Sequence, residues 1–473
     1  MKNTSKREFL RAAAAAPLAA SGLATSFGIG LSGLAALAAQ QPARAAAGSD
    51  YRALVCIFMA GGNDSHNWVV PTDSESYAQY ASVRGALAMP ISGLRTLSVA
   101  PQQASGRQFG FAADLAPLRS LYEEGKLAVV ANVGTLVRPA SKADYLSGTA
   151  LPPKLFSHND QQSWWQSLAP EGSRSGWGGR IADAVMAGNG QPIFTSVSAS
   201  GNAVFLAGAQ GQQYQIGTTG AVPIRPLTED QTLGSRTVQA VLRRSLERTR
   251  AEPMQAGYNQ VVKRSAEAYE VLAQAMANVN TGALRSSGVI LSNNNTLSLE
   301  TLPLAQQLRA VAQMIGARAV LGMRRQVFMV QIGGFDTHGS QMRDQPALMA
   351  GVAQSIAWFM GAMRDQGLED AATLFTASDF GRALTSNGSG SDHGWGGHHF
   401  VAGGAVRGRN IYGRFPITAL GTQDDIGSGR MLPSTSVTEY AATLARWMGV
   451  TGSDLTTVLP NIGNFASSDL GFI

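Results

Sequence analysis

Six histidines serve the 473-residue chain, and all six fall in four polar motifs. His66 lies in GGNDSHN, His158 in LFSHNDQQSWW and His338 in GGFDTHGSQ, while His393, His398 and His399 crowd into SDHGWGGHHF. None has the placing of a packing residue on an amphipathic helix. Aspartates accompany them: Asp64, Asp336, Asp379 and Asp392. Carboxylate oxygens and imidazole nitrogens together make a donor set for divalent cations such as Zn, Mn, Mg or Ca. Thiolate is missing from that set, because the single cysteine, Cys56, sits inside the apolar run ALVCIF and reads as a small buried hydrophobe. One or two ions are expected. Two ions about 4 Å apart need six or more protein ligands, and Asp64, Asp336, His338, Asp379, Asp392, His393, His398 and His399 supply enough. Arg382, just beyond Asp379, either binds an oxyanion or makes a surface salt bridge. Trp164, Trp165, Trp177 and Trp395 either line a sugar cleft or pack the core.

These residues need elements to deliver them. Continuous apolar runs at 51–60, 126–133, 326–332 and 373–377 have the character of buried strands, and each ends in a polar or glycine-rich loop. Three of those loops carry an aspartate. Residues 235–280, 303–323 and 345–366 show the three-and-four apolar spacing of helices, and 281–300 reads as a polar surface loop. Helices alternating with buried strands predict an α/β fold with a mostly parallel sheet flanked by helices. Ligands of such sheets bind beyond the carboxyl ends of the strands, where the motifs fall.

The net charge of +6 does not describe a nucleic-acid binder. Residues 1–45 hold a net +4, leaving only about +2 for the remainder and no basic stripe for a phosphate backbone. That leader has a charged start, a long Ala/Gly/Leu stretch and a small-x-small site at Ala43-Arg44-Ala45. SKREFL resembles the twin-arginine export signal, with Lys6 at the first arginine position. Residues 12–39 are long enough for an anchor, but alanine and glycine leave the stretch weakly hydrophobic, so no permanent membrane span is expected. The expected organisation is a Tat-like signal peptide at 1–45 and a single domain at 46–473, with a helical insertion around 235–325.

The motifs FMAGGNDSHNWVVP, GGFDTHGSQ and TASDFGRALTSNGSGSDHGWGGHHFVAGGAVRG resemble the bacterial family called domain of unknown function 1501, over essentially the whole mature chain. Its members are typically exported and as a class lack an established reaction. The family is similar in fold to the alkaline phosphatase and sulfatase superfamily, a central mixed sheet between helices with metal ligands on loops at one sheet edge. The resemblance implies a first aspartate at Asp64 and a nucleophile at a helix start, with Ser157 the best match and N-capping its alternative. His158 beside it joins the catalytic candidates. The resemblance further implies ligands at Asp336 and His338, an Asp-His-Gly after a strand, and a later histidine. The chain departs from the pattern at Ser378-Asp379-Phe380-Gly381, where Phe380 replaces the histidine. Asp392-His393-Gly394 comes thirteen residues later. Either His393 replaces the missing ligand in space, or one metal site is degraded.

The expected function is an exported metal-dependent hydrolase or transferase for phosphate or sulfate esters of a small molecule or glycan. The Tat translocon would be its partner during export. The alternative is a non-catalytic periplasmic protein that keeps the fold and binds a glycan, polymer or protein. An oxidoreductase finds no cysteine cluster, no CxxCH and no well-placed GxGxxG.

Overall fold

The computed structural model describes residues 50–99, 106–224, 227, 230–248, 251–285 and 288–473. The expected Tat-like signal peptide at 1–45 lies outside the described residues. The core strands are β1 (Arg52–Met59), β2 (Leu127–Gly134), β3 (Ser196–Ser198), β4 (Arg325–Ile332), β5 (Ala372–Ser378) and β6 (Gly397–Gly403). They belong to a ten-stranded sheet in which they run in the order β2-β6-β5-β1-β4-β3. β5, β1, β4 and β3 are mutually parallel, with Val55 of β1 opposite Leu374 on one side and Phe328 on the other. β6 runs antiparallel to both β5 and β2.

The principal helices are α1 (His158–Ser167), α2 (Arg236–Glu247), α3 (Pro253–Met276), α4 (Pro303–Gly316), α5 (Gln341–Asp365) and α6 (Val437–Trp447). β1 explains why the apolar runs are continuous. Ala53, Val55, Ile57 and Met59 pack in one cluster with Leu308 and Val311 of α4 and Val352, Ile356 and Phe359 of α5. Leu54, Cys56 and Phe58 face the other way, onto Trp165, Trp177, Tyr440 and Leu444. Both faces are covered, so no polar alternation is required. All four expected strands are present, within a residue of their expected ends.

Several expectations change. The helical stretch 235–280 is broken into α2 and α3, because Pro253 cannot continue a helix and instead starts one. The expected loop at 281–300 contains a small hairpin, Val289–Ile290 against Thr296–Leu297. The glycine-rich loop expected after β5 does not include the whole of SDHGWGGHHF: from Gly397 onward it is β6, buried throughout. Trp164, Trp165, Trp177 and Trp395 are all core residues, which removes the sugar-cleft alternative. Among the described residues, α5 alone is long and apolar enough to cross a membrane, and 67% of that window is buried inside the domain.

Candidate metal centre

β5, β1 and β4 lie side by side and end together, so their following loops meet. β1 leads into Gly61, at φ +121°, where an added Cβ would lie 2.3 Å from the Asp336 nitrogen. Only glycine lets the loops after β1 and β4 approach this closely. The Gly61 N–H donates to Asp379 Oδ1 at 3.1 Å, and its carbonyl accepts from Arg382 Nη1 at 3.2 Å. Three strand-end loops are thereby joined at one residue.

Asp336 is the focus. Its Oδ1 accepts from Arg382 Nη1 at 2.7 Å and lies 3.1 Å from His338 Nε2 and 3.2 Å from His393 Nε2. Its Oδ2 lies 3.5 Å from His158 Nε2. The opposite nitrogens fix the tautomers. His158 Nδ1 is 2.6 Å from Asp379 Oδ2, His393 Nδ1 is 2.7 Å from the Phe156 carbonyl, and His338 Nδ1 is 3.2 Å from Asp392 Oδ1. Each partner is an acceptor, so each Nδ1 donates its hydrogen there and each Nε2 is turned toward Asp336. Such backing by a carboxylate or carbonyl is the usual support of a metal-ligating histidine. His158, Asp336 and His393 have ligand atoms within 4.8 Å of one another.

The charges follow from this placement. Partial burial works to raise the Asp336 pKa, but the Arg382 bond and charge, with His338 and His393, outweigh it and hold the carboxyl below its usual range. His393 is held below the ordinary imidazole value by burial first and then by the Arg382 and His158 charges, although the Phe156 carbonyl opposes the shift. Both groups are therefore in ligand form at neutral pH.

The remaining candidates separate by position. Asp379 is buried with both oxygens engaged, Oδ2 also accepting from Gln162 at 2.9 Å, so it orients His158 instead of reaching an ion. Asp392 likewise stands behind His338. Phe380 packs 4.9 Å from the His158 ring and 4.5 Å from the His393 ring, forming their apolar floor. His393 reaches the cluster from the hairpin that follows. Arg382 is 0% exposed and spans Gly61, Asp336 and the Ser391 carbonyl, which corrects its reading as an oxyanion binder or surface salt bridge. Ser157 is the N-cap of α1, yet its hydroxyl donates to Asp160 Oδ2 at 2.7 Å and caps no helix amide.

Asp64, His398 and His399 are not brought into the cluster. Asp64 Oδ2 accepts from Arg84 Nη2 at 2.6 Å in a buried pair. Burial works to raise its pKa, and the Arg84 charge and hydrogen bond outweigh it, so the carboxyl stays ionised. His398 Nδ1 accepts the Asn132 N–H at 3.1 Å, which places the ring hydrogen on Nε2 and leaves a neutral ring with no lone pair to give a metal. His399 lies 3.2 Å from Thr376 Oγ1 and packs against Trp165 on the other side of β6. His66, another of the six motif histidines, also lies outside the cluster and donates through Nε2 to the Arg382 carbonyl at 3.1 Å.

These three inward imidazoles predict acid sensitivity. Burial pushes His66 down to about 4 and His399 down to about 3, and drives His398 well below the ordinary value. The folded values are depressed, so the unfolded chain binds more protons. Stability is then fully present above about pH 6.5 and falls as pH drops toward the folded values, at about 1.4 kcal/mol per pH unit for each group. Urea unfolding between pH 7 and 5 should show this slope, reduced by one group in His66→Gln. A flat profile would contradict neutral burial of these rings.

A three-layer α/β domain with an imidazole–carboxylate cluster on its strand-end loops thus defines the class, an α/β protein with a candidate metal centre. The chain belongs to the family described as Protein of unknown function (DUF1501), which matches residues 51–460. No curated protein matches it in sequence. In structure it is similar to Ps i-CgsB in complex with k-i-k-neocarrahexaose, at 9% identity and TM-score 0.36 over 88% of this chain and 77% of that one. It is also similar to a 2-O GAG sulfatase, at 10% identity and TM-score 0.28 over 85% and 71%. A mutant of the alkaline phosphatase PafA gives 9% and 0.26 over 70% and 64%. These scores transfer neither a site nor a substrate.

Proposed function

We propose that the protein is an exported metal-dependent hydrolase or transferase acting on phosphate or sulfate esters of a small molecule or glycan. The observation that carries the reading is the convergence of imidazole Nε2 atoms on one carboxylate, each ring backed through Nδ1. The ester class comes from the motif resemblance to the phosphatase and sulfatase superfamily. A divalent cation held by His158, Asp336 and His393 would supply Lewis acidity toward an ester oxygen. Asp379 and the Phe156 carbonyl keep the two rings in the ligand tautomer, and Arg382 holds Asp336 in place. Ser157 is the candidate nucleophile: Asp160 accepts its hydrogen bond, leaving the oxygen lone pairs free of a capping role. With no side-chain cap, the first-turn amides of α1 favour an anion beside it. The Tat-like leader would pass the folded, loaded protein through the Tat translocon to the periplasm.

The test combines metal analysis of natively purified protein with a panel of aryl and glycan phosphates and sulfates. Bound cation and turnover are expected, with Ser157→Ala lowering turnover by about 10²-fold or more while retaining the metal. A second reading, a non-catalytic binding protein, is favoured by the burial of Arg382, whose guanidinium is turned to Gly61, Asp336 and the Ser391 carbonyl. Metal retained without turnover, and no effect of Ser157→Ala, would select it.

A further inference from the structure

The geometry points to a four-ligand centre of His158, His338, His393 and Asp336 that takes a zinc-class cation in preference to calcium or magnesium; this rests on the metal reading above. His338 is the added member. Its Nε2 lies 2.9 Å from His393 Nε2 and 3.1 Å from Asp336 Oδ1. Ring nitrogens at that separation are held by a positive centre shared between them, a proton or a cation. A single proton would serve one pair of nitrogens. A cation also serves His158 Nε2 and the Asp336 carboxylate, whose oxygens lie 3.5 Å from His158 Nε2 and 3.1 Å from His338 Nε2.

His338 is held for this purpose although it is about half exposed. Asp392 Oδ1 backs its Nδ1, and Asn387 Nδ2 donates both to that oxygen and to the His338 carbonyl, each at 3.1 Å. The turn behind it closes so tightly that a Cβ on Gly390 would lie 2.2 Å from the Thr337 carbonyl oxygen. The ring is thus carried on a braced loop.

The donor set selects the ion. Calcium takes six to eight oxygens, and magnesium favours an octahedron of oxygens. Both Asp379 oxygens are already engaged, Asp64 is paired with Arg84, and Asp392 Oδ1 accepts two hydrogen bonds. Asp336 is the carboxylate on which the imidazole Nε2 atoms converge. Three imidazoles with one carboxylate match the four-coordinate preference of zinc and its first-row relatives.

The experiment uses the full mature chain, stripped with a chelator and equilibrated with equal concentrations of zinc, calcium and magnesium. One zinc per chain is expected, with calcium and magnesium retained at least about 100-fold less tightly. Cobalt(II), used as an absorbing probe, should give the intense visible bands of a four-coordinate site. His338→Ala should weaken those bands and lower cobalt affinity by about 100-fold, and Asp392→Asn by about 10-fold. Circular dichroism checks that the exposed substitution leaves the fold intact. Calcium or magnesium retained as well as zinc, a cobalt spectrum unchanged in His338→Ala, or no ion bound at all would each overturn the inference. Zinc bound through His338 without ester turnover would instead remove the hydrolase reading and leave this one standing.

Discussion

Asp336→Asn should lower turnover of an aryl phosphate or sulfate by about 10³-fold and remove the bound cation, while leaving the unfolding temperature close to that of the metal-stripped parent. The size follows from the several kilocalories per mole that a cation's charge supplies to a transition state of this kind. The choice of asparagine follows from Arg382. That guanidinium is fully buried and donates to Asp336 at 2.7 Å, so alanine would leave a buried donor unpaired and mix a stability loss into the result. Asparagine keeps an acceptor oxygen and removes only the charge. Metal content, steady-state turnover and thermal unfolding on one preparation separate the two effects. Unchanged metal content in Asp336→Asn would sink the proposed centre.

The second large effect is expected where the motif aspartate is not a ligand. Asp64→Ala should destabilise the protein by about 3–5 kcal/mol, because it strands the Arg84 guanidinium in the interior. Arg84 also donates to Asn67 Oδ1 and to the Ala383 and Leu384 carbonyls, so it cannot turn outward to water. The Asp64 pKa is depressed in the fold. Its contribution is therefore present above about pH 4, the unfolded value, and is lost as pH falls through the lower folded value. Urea unfolding at pH 7 measures the main effect. If the metal content of Asp64→Ala falls while its stability does not, the residue is a ligand after all.

The sheet was legible because parallel strands covered on both faces must be apolar end to end, and 51–60, 126–133, 326–332 and 373–377 are. β6 was harder to see, since its first residues are Gly397, His398 and His399. Imidazoles signal a site, yet these two face opposite sides of a buried strand, where neutral rings with partners pack as well as phenyl rings. Local sequence shows which residues can ligate. It does not show which nitrogen is already committed, and a backbone N–H from Asn132, distant in the chain, decides that for His398. The same limit applies to Asp379 and Asp392, which share the chemistry of Asp336 but stand one position back. The sequence groups His158 with Ser157 as a catalytic candidate. Its place in the cluster depends on the meeting of α1 with β5, and only the Ser-His-Asn-Asp helix start hinted at it.

Arg382 has one further consequence. Its guanidinium fastens the loop after β1 through Gly61, the loop after β4 through Asp336, and the hairpin strand through Ser391, at no exposure to water. Three loops that would otherwise fluctuate separately share one rigid planar fork. An arriving ligand then has little loop entropy to remove, and most of its interaction energy is left to appear as affinity.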